Sequence, residues 1–298
     1  MKTWFCSILA LVGMLSTAQA EVWSLRMPGT GLLPSYAKAT FLGRMHERHG
    51  GSHMGMQDYT LNIPIVDGRH SYVGKWRFNM QANVTASLMD VSSSLNLRRD
   101  EMFDIALPLT AIRPFANGDR FTFTLMPHYA GDRGKTAHAW DLGIVASYSV
   151  KFSETFTYSL GVAVSPRFAQ YAAVPYISFN WQVTPDWLVR MQGFQLAALY
   201  RVNERLRVGP GFSCEGGTWM VRTDMGDRIF RVRSLMAALV AEYNFAPVGK
   251  SKRIFTMAVG TTLASTAEFC DRTARKDSIS MRHYKPGVAV SLGVDFRF

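Results

Sequence analysis

Three histidines and two methionines fall within one short tract, HERHGGSHMGM, from His46 to Met56. Imidazole nitrogen and thioether sulfur are ligands for copper or zinc, and the glycines would let a loop fold around an ion. The spacing of His46, His49 and His53 matches no defined metal motif, however, and apart from Glu47 no carboxylate or thiol completes a ligand set. The tract, with Met54 and Met56, reads as a solvated loop, and the expectation is no metal and no cofactor.

Acid–base or nucleophilic catalysis needs a histidine or carboxylate within reach of a reacting group. The candidates are His128, His138 with Asp141, and His283 near Ser280. None sits in a nucleophile motif, and the reading is that the chain is not an enzyme. Cys214 and Cys270 are the cysteines outside the first twenty residues. Both fall in segments that read as loops on one side of the molecule, one pair of strands apart. An oxidising compartment would permit a Cys214–Cys270 disulfide.

Such a compartment is implied by the N-terminus. Lys2 gives a basic start, Trp4 to Leu15 is mostly apolar, and Ala18-Gln19-Ala20 is a small-residue cleavage site. Residues 1–20 read as a secretory signal peptide that is cleaved. Residues 21–35, rich in Gly and Pro, read as a lead-in, and 36–298 as one domain. The chain of 298 residues carries a formal net charge of +11. An exported protein seldom meets nucleic acid, so anionic lipid headgroups or anionic solutes are the expected partners. No run of eighteen apolar residues follows Ala20, so no membrane-spanning helix is predicted.

The elements that would position these residues are strands. Trp76, Phe78, Met80, Ala82, Val84, Ala86 and Leu88 share one parity, while Lys75, Arg77, Asn79, Gln81, Asn83, Thr85 and Ser87 share the other. Side chains alternate faces along a strand, so this segment has one apolar and one polar face. The same pattern recurs from Phe103 to Leu109, Trp140 to Phe152, Phe156 to Val164, Ile177 to Val183 and Leu235 to Phe245. It closes the chain in PGVAVSLGVDFRF, where Val288, Val290, Leu292, Val294, Phe296 and Phe298 share the apolar face. All candidates together make fourteen strands, or twelve without the pair Tyr36–His46 and Tyr59–Ile65. Pro64, Pro108, Pro175 and Pro210 each remove a ladder donor, which predicts bulges or strand ends there.

Short connections alternate with longer, more charged ones, and aromatics gather at the short turns, as with Phe152 and Phe156, Trp181 and Trp187, and Phe245 and Phe255. With the signal peptide, the alternation and the terminal aromatic, the chain resembles bacterial outer-membrane β-barrels. The resemblance implies an all-β fold, a single antiparallel transmembrane β-barrel. It also implies periplasmic short turns and an assembly signal at Phe296 and Phe298 read by the barrel-assembly machinery.

In such a barrel the polar parity faces the lumen. The wall would then be lined by Lys75, Arg77, Asn79, Gln81, Asn83, Asp141, Lys151, Arg190, Gln192, Arg207, Glu242, Asn244, Asp295 and Arg297. A basic lumen favours anions, unless its charges pair across the interior and fill it. Arg231 and Arg233 lie on the apolar parity. A charge facing lipid at mid-membrane costs about 2–4 kcal/mol, which would place them at the external rim, against lipopolysaccharide phosphates. The expected role is passive passage of small solutes; the alternatives are a closed binding barrel acting through its external loops, and a barrel enzyme acting on envelope lipids.

Overall fold

The computed structural model describes residues 35–66, 71–92, 95, 97–133, 139–164, 173–192, 195–247, 253–270 and 278–296. The signal peptide, the lead-in before Ser35, the Asp67-Gly68 turn, His138, Arg297 and Phe298 lie outside them. The strands are β1 (Ser35–His46), β2 (His53–Val66), β3 (Tyr72–Val73), β4 (Trp76–Val91), β5 (Glu101–Ala106) and β6 (Leu109–Pro114). They continue with β7 (Arg120–Asp132), β8 (Trp140–Lys151), β9 (Phe156–Val164), β10 (Ala173–Gln182), β11 (Trp187–Gln192) and β12 (Gln195–Arg201). The last are β13 (Leu206–Thr223), β14 (Gly226–Asn244), β15 (Arg253–Cys270), β16 (Ser278–Tyr284) and β17 (Val288–Phe296).

Consecutive strands pair antiparallel, and β1 pairs β17 from Ser35↔Phe296 to Leu42↔Ala289, closing the sheet on itself. Three pairs of segments act as single staves. β3 continues β2 along β4, β5 and β6 share the neighbours β4 and β7, and β16 and β17 both lie along β15. The ring therefore has fourteen strands, and the twelve-strand alternative falls because β1 and β2 are full members of it. Closure leaves no open edge around the ring, the feature that lets a sheet cross a bilayer.

Alternation sets the two faces. In β2, Tyr59, Leu61 and Ile63 are exposed while Asp58, Thr60 and Asn62, which alternate with them, are buried. The outward set recurs around the ring, with Phe41, Phe78, Leu160, Phe212, Leu239 and Val288 among its members. Water would penalise this belt by roughly 25 cal/mol per Å² of apolar surface, and lipid does not. Rings gather at the short turns: Phe152 meets Phe156 at 6.1 Å, Phe156 meets Trp181 at 6.0 Å, and Trp187 meets Tyr200 at 5.3 Å.

The prolines behave as ladder chemistry requires. Pro64 adjoins a register shift, Pro108 sits in the break between β5 and β6, and Pro210 lies where β12–β13 pairing lapses between Ala197↔Gly211 and Tyr200↔Val208. Pro175 is instead accepted three residues into β10, opposite Val162.

The segment 213–230, expected to be a loop, is strand. β13 and β14 stay in register to a two-residue turn at Asp224-Met225, where Gly226 takes a φ of +99° that glycine adopts without strain. On the other side β8 to β12 stop early. Met220 of β13 meets Gly131 of β7 in a parallel bridge, and the Arg222 amide donates to Asp132 Oδ2 at 3.0 Å. Five strands lie between β7 and β13 in the ring order. Beyond the ends of those five, the wall continues as a narrower ring of nine: β1, β2, β4, β5, β7, β13, β14, β15 and β16.

Each of the nine sends apolar side chains inward. Leu42, Met45, Met54, Met56, Met89, Met102, Ala130, Trp219, Phe230, Met236, Phe269 and Tyr284 belong to one buried cluster, and Leu95 from the β4–β5 connection joins it. A bulge between Leu42 and Met45 turns both residues inward despite their odd separation. Unbranched methionine fills irregular gaps, which suits a core converging from nine directions.

Candidate functional site

The lumen is thus divided. Toward the long loops it is the apolar core just described; toward the short turns it is polar. Asn62 donates to Gln81 at 3.2 Å, Asn83 to the Tyr36 hydroxyl at 3.0 Å, and Thr110 meets Thr124 at 3.0 Å. Two ion pairs span strands that are not neighbours: Lys38 Nζ to Glu215 at 2.9 Å, and Arg190 to Glu242. These pairs, and the burial of Asn62, Gln81, Ser159 and Asn244, tie the inner face together.

The predicted lining residues divide accordingly. Arg77, Asn79, Gln81, Asn83, Asp141, Arg190, Arg207, Glu242, Asn244 and Asp295 lie on the inward parity of their strands. Arg207 stands directly opposite Glu242, and Asn244 donates to the Arg205 carbonyl at 3.2 Å. Lys75 is exposed in the turn before β4, Gln192 is exposed at the end of β11, and Lys151 is exposed at the end of β8, where it bonds Glu154 at 2.6 Å. Phe296 lies on the outer face opposite Ser35. Lys38, Glu215 and Arg120 were not singled out from the sequence. Glu215 fell in the supposed loop and Arg120 in a supposed turn, although strand parity extended by a few residues points all three inward.

Arg231 and Arg233 are not rim residues. Arg231 is 4 % exposed, and Glu268 takes it at 2.7 Å and Arg233 at 3.3 Å. The hairpin that carries them bends over toward β7, so its formally outward face is covered instead of meeting headgroups.

The cysteines are also corrected: no disulfide joins them, and both lie in strands, not loops. Cys214 pairs Leu235 and Cys270 pairs Ile229, six residues apart along β14. At ~3.3 Å per residue this offset alone is about 20 Å, well beyond the roughly 7 Å between Cα atoms that a disulfide tolerates. Denatured protein lacking residues 1–20 should take up a maleimide on both cysteines without reductant; labelling that required reductant would refute the placement.

The histidine tract is not one loop. β1 runs to His46 and β2 starts at His53, opposite each other, with His49 exposed in the turn. Strand alternation turns Met54 and Met56 into the core, and His53 faces Asp90 at 3.4 Å on the other side. No metal-ligand group is assembled among the described residues. His128 is buried in the wall directly opposite Asp141. Ser280 and His283 are three residues apart in β16, an odd separation that puts them on opposite faces.

At the long-loop end Glu47 accepts from Ser52 Oγ and pairs with Arg282 at 3.3 Å. The Ser52 hydrogen bond, aided by the Arg282 charge, holds its carboxyl below the usual glutamate value. A depressed folded value stabilises the fold above the unfolded value and loses that contribution as pH falls through the folded one. Acid titration of Glu47→Gln should accordingly show a smaller loss of loop protection in hydrogen exchange, below about pH 4.5, than the parent chain.

A closed antiparallel ring with an apolar outer belt and a polar inner face defines a transmembrane β-barrel of the outer-membrane type. Within that class the chain belongs to the family described as a domain of unknown function, DUF6268, whose pattern matches residues 46–298. No curated protein matches it. Among solved structures it is similar to the translocator domain of the autotransporter NalP from Neisseria meningitidis, at 13% identity over 99% of each chain with a TM-score of 0.37. The toluene transporter TodX of P. putida aligns at 10% identity over 92% of each chain, with a TM-score of 0.35. OpdQ of Pseudomonas aeruginosa aligns at 11% identity over 88% of this chain and 97% of its own, with a TM-score of 0.28.

Proposed function

We propose that the protein is an outer-membrane channel that passes small solutes and prefers anions. In this reading residues 1–20 direct export and are removed, and the barrel-assembly machinery reads the terminal aromatic strand. The short turns face the periplasm, and lipid with lipopolysaccharide surrounds the outer belt. The route involves diffusion without a chemical step, and nucleic acid and cofactors play no part.

The observation that carries the reading is the charge on the inner face at the short-turn end. Arg77, Arg120, Arg190 and Arg207 point inward there against Glu242 and Asp295. A low-dielectric tube focuses such an excess into an attractive potential for anions. The apolar core at the other end shuts the axis in the state described, so current requires that core to part. A second reading, a closed barrel that binds through its external surface, is favoured by that same core.

Planar-bilayer conductance of the refolded chain beginning at Glu21 tests the first reading. Discrete steps with anion preference in a salt gradient, with the preference reduced in Arg77→Glu, are the expected result. A silent bilayer from protein whose folding is verified by a heat-modifiable gel shift would overturn it in favour of the closed barrel.

A further inference from the structure

Arg77 is the second residue of β4 and Arg120 the first of β7, both on the inward parity at the same end of the ring. β6 lies between their strands, and Arg120 sits two residues nearer the turn than Thr122, which is level with Arg77. Two strand spacings of ~4.8 Å and two residues of ~3.3 Å therefore put the two backbones about 12 Å apart. Their charges interact, and both side chains are partly buried. Among the described residues Arg77 Nε, which is buried, meets no hydrogen-bond acceptor, and the Tyr72 ring lies 5.2 Å from its guanidinium. The nearest carboxylate along the chain is turned away. Asp119 accepts from the Tyr148 hydroxyl at 2.9 Å and the Lys151 amide at 3.1 Å, and Tyr148 belongs to the outer face. Among the described residues, neither arginine has a carboxylate in ion-pair range.

Two like charges held together in a partly dry site repel, and each lacks the partner that a buried ion normally requires. A guanidinium is also the side chain best shaped to hold an oxyanion through paired N–H donors. We propose that Arg77 and Arg120 form a binding site for a small oxyanion, phosphate or carboxylate, at the short-turn mouth of the lumen. An anion bridging the two would replace repulsion by attraction and satisfy Arg77 Nε. The inward direction of both residues favours a dissolved anion over a lipid headgroup. The site deepens the anion-preferring reading above by naming what the lumen holds, yet binding and conductance are separate measurements.

The test uses the refolded chain in maltoside micelles, which contain no phosphate. Unfolding temperature and tryptophan emission are followed while inorganic phosphate is added at constant ionic strength; Trp76, adjacent to Arg77, is the local reporter. Wild type should show a saturable rise in unfolding temperature with phosphate. Arg120→Gln should need about tenfold more phosphate or more, since a charge-assisted hydrogen bond is lost. Without phosphate it should unfold at the same or a higher temperature, because one of two repelling charges is gone. Arg77→Gln should weaken phosphate in the same way, and Arg205→Gln, in a distant turn, should not. A parallel arm replaces phosphate by phosphatidylglycerol in the micelle. An Arg120-dependent shift there and not with inorganic phosphate would assign the site to a headgroup and overturn the dissolved-anion assignment. No phosphate effect in wild type, or an equal effect in Arg120→Gln, would overturn the site itself. A bilayer-silent protein that still shows the Arg120-dependent shift would retain the site and lose the channel.

Discussion

Replacing Phe230 by alanine should cost the barrel about 3–5 kcal/mol, the range for emptying a buried aromatic position. Phe230 is fully buried, stacks on Trp219 with centroids 6.3 Å apart, and meets Phe269 at 4.9 Å. Three strands are therefore joined through one ring, in the section where nine strands must converge without the five that stop short. Methionine neighbours can close part of a cavity, which places the expected loss toward the lower end of that range. The comparison is Leu239→Ala, whose side chain is 60% exposed on the outer belt and keeps lipid as its solvent. Equilibrium unfolding in urea, with lipid vesicles present, reads both. In bilayers, Phe230→Ala should open more often than the parent, because the ring lies in the closed part of the axis. Equal stability losses for the two variants would show that the cluster is not the core proposed here.

Glu268→Gln should be comparably damaging, at about 3–5 kcal/mol, for an electrostatic reason. Glu268 is 4% exposed and balances Arg231 at 2.7 Å and Arg233 at 3.3 Å. Neutralising it takes the carboxylate from beside two guanidiniums, one of them buried, and removing one partner of a buried pair costs far more than the pair itself is worth. The double change Arg231→Met with Glu268→Leu should recover much of the loss. Breaking the exposed Arg44–Asp90 pair, with side chains 57% and 52% accessible, should cost only about 0–1 kcal/mol. Hydrogen exchange across the β13–β14 hairpin would locate the damage. A hairpin equally protected in Glu268→Gln and the parent would remove the triad's structural role.

Much of this architecture is legible in the chain because a barrel stave is a local object. Its pattern has a period of two, and each residue's face follows from parity alone. Thus Tyr59, Leu61 and Ile63 could be assigned outward and Asn79 and Gln81 inward before any contact was known, and fourteen runs of alternation became fourteen staves. Local reading failed where strands meet elements far along the chain. Cys214, Glu215 and Trp219 lie in a Gly-rich stretch that carries a loop's composition. They form strand because β14 pairs them on one side throughout, and because β7, about ninety residues away in the chain, meets their hairpin at Met220. The histidine tract failed similarly: β2 begins at His53, six residues before the alternation at Tyr59, because β1 on one side and β4 on the other pair Met54, Met56, Gln57 and Asp58.

The candidate anion site shows the same division. Parity puts Arg77 inward and Asp119 outward, but no local signal says that Arg120 comes near Arg77 or that the Tyr148 hydroxyl and the Lys151 amide hold Asp119. By itself the sequence determined the class of fold, a strand number of twelve or fourteen and the direction of most side chains, because these depend on spacing between near neighbours; the pairing of β1 and β2 into the ring decided for fourteen. Only the tertiary structure decided that nine strands close over fourteen and that Arg231 is buried beside Glu268. It alone also set the cysteines far apart and the two inward guanidiniums near each other. Those outcomes depend on which distant strands share a ring and at what register, and pairing energy between such strands leaves no periodic mark in either one alone.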